Sequence, residues 1–245
     1  MVCRAGDGRR FVSRRARAIP WAVTAGVVVL RPEPGNARTA ARAAALGLEV
    51  RRLPLFETRP LGWEPPDPAG FDALLLTSAA ALRHAGRGLD ALRGLPVVAV
   101  GAATAHAART AGLSVAAEGD AGVDAALALA QEAGFARLLH LAGRERMPDR
   151  PGVRALPAYG SDPLPVPPGA LQRFSGWTAL LHSARAAGRF AELADRDGVR
   201  ALVSVAAISP AALAAAGPGW ADAAAAPTPD DDALLRVAAA IIDGR

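Results

Sequence analysis

The 245-residue sequence contains no lysine. That absence removes Schiff-base catalysis and the lysine of a phosphate-binding Walker loop. The single cysteine, Cys3, lies near the amino end, so no disulfide framework or cysteine-based metal site can form within the chain. Aromatic residues amount to 4%, which leaves alanine, leucine and valine to fill any interior. No stretch approaches the ~18 consecutive apolar residues of a membrane span. No G-x-G-x-x-G follows a strand-like run, which argues against a dinucleotide cofactor, and no G-x-S-x-G nucleophile elbow occurs. His84, His106, His140 and His182 show none of the H-x-x-x-H or H-x-H spacings that hold zinc. The expected chemistry uses neither cofactor nor metal.

Apolar residues make up 51% of the chain, enough for a substantial core. The length fits one large domain or two of ordinary size. The net charge of +5 is local: Arg4, Arg9, Arg10, Arg14, Arg15 and Arg17 face Asp7 alone, and residues 26–245 are balanced. Nucleic-acid binding needs basic residues clustered on a folded face, so that class is set aside. Residues 1–25 could be an arginine-rich targeting peptide, a basic arm, or a disordered extension left by an early start codon. The last fits best, because the apolar run that opens a fold begins only near Val27.

From there short apolar runs alternate with alanine-rich helical stretches, the pattern of βαβ units around parallel sheets. Val27–Leu30 reads as a strand, followed by a proline turn whose Asn36 is placed to cap a helix ending at Gly47. Further strands are expected at 49–53, 73–76, 96–100, 137–141, 177–181 and 201–208. Helices follow most of them, and the last begins at Asp230-Asp231-Asp232, where acidic groups suit the helix dipole. Two proline-rich crossings, 53–67 and 148–168, separate two similar α/β halves, so one is inserted into the other.

In open parallel sheets ligands settle at the carboxyl ends of strands. Thr77-Ser78-Ala79, Gly101 with Thr104, Ser183 and Ser209 all occupy that position. Backbone N–H groups at a helix start plus a hydroxyl make a site for carboxylates, although serine and threonine also sit there simply as caps. Arg31, and Arg144 with Arg146, follow strands and can pair with carboxylates or face solvent. Tyr159, the only tyrosine, stands in a crossing segment, where its phenol can donate a proton or merely pack. His182 beside Ser183 is not read as a nucleophile–base pair, because adjacent residues entering a helix point in different directions.

In order and spacing the chain resembles the uroporphyrinogen-III synthase family. The matching segments are Val29-Leu30-Arg31-Pro32-Glu33, Leu53-Pro54-Leu55-Phe56, and the run from Phe71 through Thr77-Ser78 to Ala81. They continue with Val98 through Gly101 to Ala105, Leu139–Gly143, Pro157-Ala158-Tyr159, Leu180–Ala184 and Ala207-Ile208-Ser209-Pro210. Together they cover nearly all of residues 26–245.

The resemblance implies two flavodoxin-like or Rossmann-like parallel-sheet domains: 26–54 with 162–245, and an inserted 60–154. Linker strands at 55–59 and 155–161 join them. It implies a cytoplasmic, monomeric, cofactor-free lyase that converts hydroxymethylbilane, received from the preceding deaminase, into uroporphyrinogen III. Water is lost and ring D is inverted through a spirocyclic pyrrolenine. Tyr159 would assist hydroxyl departure. Arg31, Thr77, Ser78, Ala79, Gly101, Thr104, Arg144, Ser183 and Ser209 would hold acetate and propionate carboxylates. The family often carries a threonine pair where this chain has Ala211-Ala212, and residues 143–154 are shortened. Two other readings stand beside it: a non-catalytic protein closing around a small anion, and a degenerate relative acting as a regulatory module.

Overall fold

The structure, a computed structural model, describes residues 25–119, 122–145 and 150–244; the basic extension expected at 1–25 falls almost wholly outside them, as does Arg146. The fold begins where the apolar run begins. Strand β1 (Gly26–Val29) is fully buried and is followed by helix α1 (Gly35–Ala45) and strand β2 (Glu49–Arg52). Strand β3 (Phe56–Pro60) crosses to a second lobe. That lobe runs β4 (Ala73–Leu76), α2 (Ala79–His84), β5 (Val97–Val100), α3 (Ala102–Thr110), β6 (Val115–Gly119), α4 (Val123–Glu132) and β7 (Leu138–Gly143). Strand β8 (Val153–Pro163) returns, and the first lobe is completed by β9 (Thr178–Leu181), α5 (Ala184–Arg196), β10 (Ser204–Ala207), α6 (Pro210–Ala216), β11 (Ala223–Ala225) and α7 (Asp231–Asp243).

The first sheet is parallel throughout, in the order β2-β1-β9-β10-β11. The second has the order β3-β8-β7-β4-β5-β6 and is parallel except where β3 and β8 run antiparallel. The two halves therefore share a layered design but not a strand order. In each sheet the direction of winding reverses once, between β1 and β9 and between β4 and β7.

Period-2 alternation explains the continuous hydrophobic strands. Val28 and Leu30 face α5 and α6 through Phe190, Ala194 and Ala212, whereas Val27 and Val29 face Leu234, Leu235 and Ala238 of α7. In the second lobe Leu74 and Leu76 meet α2 and α3, while Ala73 and Leu75 meet Ala126 and Ala130 of α4. Small alanines let these helices lie close to the sheets, so few aromatics are needed. Burying each such leucine stabilises the fold by about 1.5–3 kcal/mol.

Three local expectations are corrected. Asn36 does not cap α1, which starts one residue earlier behind Pro34. Instead it is fully buried: Nδ2 donates to the carbonyls of Val29 (2.9 Å) and Arg31 (2.8 Å), and Oδ1 accepts from Arg52 Nε (2.7 Å). It fastens the end of β1 to β2. Residues Arg200–Leu202 form a 3-10 turn, so the strand expected from 201 begins at Ser204. Edge strands β6 and β11 were not anticipated, because their alanine-rich sequences hold a single β-branched residue, Val115, between them.

Candidate functional site

A cleft of about 480 Å3 lies between the two lobes. The carboxyl ends of β1 and β9 supply Arg31, His182 and Ser183; those of β4 and β7 supply Thr77, Ser78, Gly143 and Glu145. Both points of winding reversal, where the helices on either side diverge and leave a crevice, thus open onto one space. Of the anticipated residues, Arg31, Thr77, Ser78, Ala79, Thr104, Tyr159 and Ser183 line it. Gly101, Arg144 and Ser209 do not. Ser209 follows β10, one strand removed from the reversal, and Gly101 turns the chain into α3 so that Thr104 reaches the cleft in its place. Arg144 is drawn aside by Glu145 (2.9 Å) and Asp162 (2.5 Å).

The serines do act as caps: Ser78, Ser183 and Ser209 accept from the N–H groups of Ala80, Ala186 and Ala212 at 3.2, 3.2 and 3.3 Å. The Thr77 hydroxyl meets Nε2 of His140 at 3.1 Å. Helix α3 starts at Gly101 without a side-chain cap, and its Ala103 and Thr104 border the cleft.

Positive charge dominates the walls. Arg31, Arg38, Arg83 and Arg185 line the cleft against Glu33 and Glu145. Both carboxylates are engaged, Glu33 by Arg52 and Glu145 by Arg144. Arg38 of α1 and Arg83 of α2 approach from opposite lobes and have no carboxylate partner among the described residues. Partial burial and the charge of Arg38 lower the proton affinity of Arg83. Two cations held near each other without counter-ions make a site that an anion relieves. Nothing in the sequence singles out Arg83 or Arg185, since only the folded chain brings these helices to one gap.

The cleft floor is the antiparallel pair β3–β8. Alternate residues Phe56 and Thr58 of β3, and Tyr159 and Ser161 of β8, face upward, with Thr58 opposite Ser161 in register. His84 supports this floor: Nε2 lies 2.9 Å from the Thr58 hydroxyl, and its ring stacks on Tyr159 with centroids 6.0 Å apart. Burial, reinforced by Arg83, holds His84 below its ordinary pKa and so favours the neutral imidazole. The Tyr159 hydroxyl makes no hydrogen bond among the described residues.

Behind the first-lobe wall, Asp231 gathers a second cluster. Its carboxylate accepts from Arg31 Nη1 (3.1 Å), His182 Nε2 (3.1 Å) and Thr39 Oγ1 (2.8 Å). Burial alone would raise the pKa of Asp231, but the bonds from His182 and Thr39 and the charge of Arg31 outweigh it and hold the group well below the usual carboxylate range. His182 is held neutral chiefly by burial. It is thus committed to Asp231 rather than to Ser183. Among the described residues no group of three or more His, Cys, Asp or Glu side chains is placed to hold a metal ion, and no helix is long and apolar enough to cross a membrane.

The family model described as uroporphyrinogen-III synthase HemD matches residues 37–236. Among solved structures, the uroporphyrinogen-III synthetase of Helicobacter pylori is similar with a TM-score of 0.60 at 14% identity, covering 89% of this chain and 99% of that one. A mutant uroporphyrinogen III synthase of the extremely thermophilic bacterium Thermus thermophilus gives 0.54 at 18% identity, over 90% and 100% of the two chains. At such identities the likeness establishes the shared fold. No curated protein sequence matches the chain.

Proposed function

The chain belongs to the uroporphyrinogen-III synthase family, and from that premise we propose that it closes hydroxymethylbilane to uroporphyrinogen III, releasing water and inverting ring D. The observation that carries this reading is a single cleft in which unpaired arginines from two lobes surround the only tyrosine. A linear tetrapyrrole bearing acetate and propionate carboxylates complements those cations, the helix starts at Ser78 and Ser183, and Thr104 in the first turn of α3.

The protein's part is positioning. Tyr159 donates its proton as the terminal C–O bond breaks, so the hydroxyl leaves as water. The carboxylate anchors hold the chain so that the remaining carbon attacks through the spirocyclic pyrrolenine rather than by direct closure. The substrate closes unaided to the uninverted isomer, so the clamp has only to make one closure outrun another, and orientation of this kind is worth up to ~7–11 kcal/mol. Arg31, Thr77, Ser78, Ala79, Thr104 and Ser183 act as first contacts for carboxylates. Gly101, Arg144 and Ser209 take supporting places beyond the cleft lining. The same reading makes the protein a cytoplasmic monomer with a lyase activity, receiving its substrate from the preceding deaminase.

The test couples the purified protein to a hydroxymethylbilane supply and separates the product isomers by chromatography. Type III product above the spontaneous background is expected. Type I alone, at the spontaneous rate, overturns the assignment and leaves an anion-binding protein.

A further inference from the structure

We infer that Gly35 is a positioning residue for the cleft: its missing side chain is the seat in which the Arg31 guanidinium is held as a preformed carboxylate anchor. A Cβ at position 35 would stand 2.5 Å from Arg31 Nε and 2.8 Å from Cζ. The guanidinium therefore lies directly over the first residue of α1. Asp231 and Thr39 hold it from behind through Nη1, at 3.1 and 3.5 Å. Nε and Nη2 make no hydrogen bond among the described residues, and Arg31 and Gly35 both line the cleft. One edge of the fork is fixed and the other is presented, as planar bidentate recognition of a carboxylate requires.

Nothing in the backbone demands glycine here. Gly35 does not have a positive φ, and alanine is the better helix former in α1. Glycine at this position is explained by the arginine it accommodates. An arginine free to rotate would lose side-chain freedom on binding; one already seated between Gly35 and Asp231 has lost it during folding, which raises affinity for the ligand.

The inference rests on the reading of the cleft as a polycarboxylate site, and the experiment separates the two. Gly35→Ala displaces only the flexible end of Arg31, so the melting temperature should hold or rise. KM for hydroxymethylbilane should increase about tenfold with kcat little changed, which corresponds to ~1.4 kcal/mol of lost binding. The Kd for uroporphyrin III, a non-reacting polycarboxylate followed by its fluorescence, should rise by the same factor. In an Arg31→Ala background, Gly35→Ala should add nothing, because both act through one guanidinium. Unchanged KM and Kd in Gly35→Ala, or a full additional loss in the Arg31→Ala background, overturns the inference. If wild type binds uroporphyrin III more tightly than Gly35→Ala but yields type I product alone, the anchor stands and the catalytic reading fails.

Discussion

Tyr159 rests directly against the backbone of Gly143: a Cβ at that glycine would come within 3.0 Å of the tyrosine Cζ and 3.1 Å of its hydroxyl oxygen. The two residues lie on paired strands of the second sheet, so the phenol is packed rather than tethered. Two substitutions probe this contact. Tyr159→Phe removes the proposed proton donor and should lower kcat about 100-fold, with KM and the folding transition unchanged. Gly143→Ala keeps the phenol but tilts the ring, and should lower kcat about tenfold. Equal turnover in Tyr159→Phe and wild type, measured by isomer-resolved product formation, would remove the tyrosine from the mechanism.

The unpaired cations should reveal themselves in affinity. Arg83→Gln takes away one of two facing charges and should raise KM about tenfold while leaving kcat near wild type. Raising ionic strength should weaken binding of the wild type more than of the variant, since screening acts on the charge that the variant lacks. Parallel salt dependence in the two proteins would rule out Arg83 as a carboxylate contact.

Acid sensitivity follows from the neutral histidines. His84 and His182 are both held below the ordinary value of 6.5, in each case mainly by burial, with Arg83 and Arg31 respectively adding to it. The unfolded chain therefore takes up protons first as pH falls. Their contribution to stability is complete above about pH 6.5 and declines below it. Melting temperature should drop between pH 7.5 and 5.5, and His182→Gln, which keeps a donor near Asp231, should flatten that slope. A slope of the same steepness in the variant would show that His182 does not titrate in this range.

Asn36→Ala should be costly despite the small change in size. It leaves the carbonyls of Val29 and Arg31 and the guanidinium of Arg52 without the partner they share. A loss of about 2–3 kcal/mol is expected in denaturant unfolding. A loss below 0.5 kcal/mol would mean that these groups find water instead.

Much of this architecture was legible before folding. Buried strands such as Ala73–Leu76 announce themselves because both faces are covered and every residue is apolar. The cleft hydroxyls were legible for a related reason: Thr77, Ser78 and Ser183 follow such strands, and a parallel sheet delivers those positions to its ligand-binding end. Arg83, Arg185, Glu145 and Thr58 were not, because each is an ordinary polar residue on its own element and acquires meaning only across the gap. Asp231 illustrates the same limit. Its place at the start of α7 fits a dipole explanation, whereas its carboxylate is spent on Arg31, His182 and Thr39, up to 200 positions away in the chain. Asn36 was misread because a side-chain amide beside a helix start looks the same whether it caps that helix or ties down the preceding strand.

The ribbon of β3 and β8 has a kinematic consequence. Tyr159 rides on β8, which is hydrogen-bonded to β7, and its neighbours Gly143 and His84 belong to the same lobe. Arg31, Ser183 and Arg185 belong to the other. A swing about the ribbon would leave the contacts of the phenol with Gly143 and His84 intact and would change its distance from those three, parting Arg185 from Glu145, now 3.8 Å apart. Under the proposed function, gaping disarms the site without disordering it, and bringing the far jaw back restores it to a phenol that keeps its place.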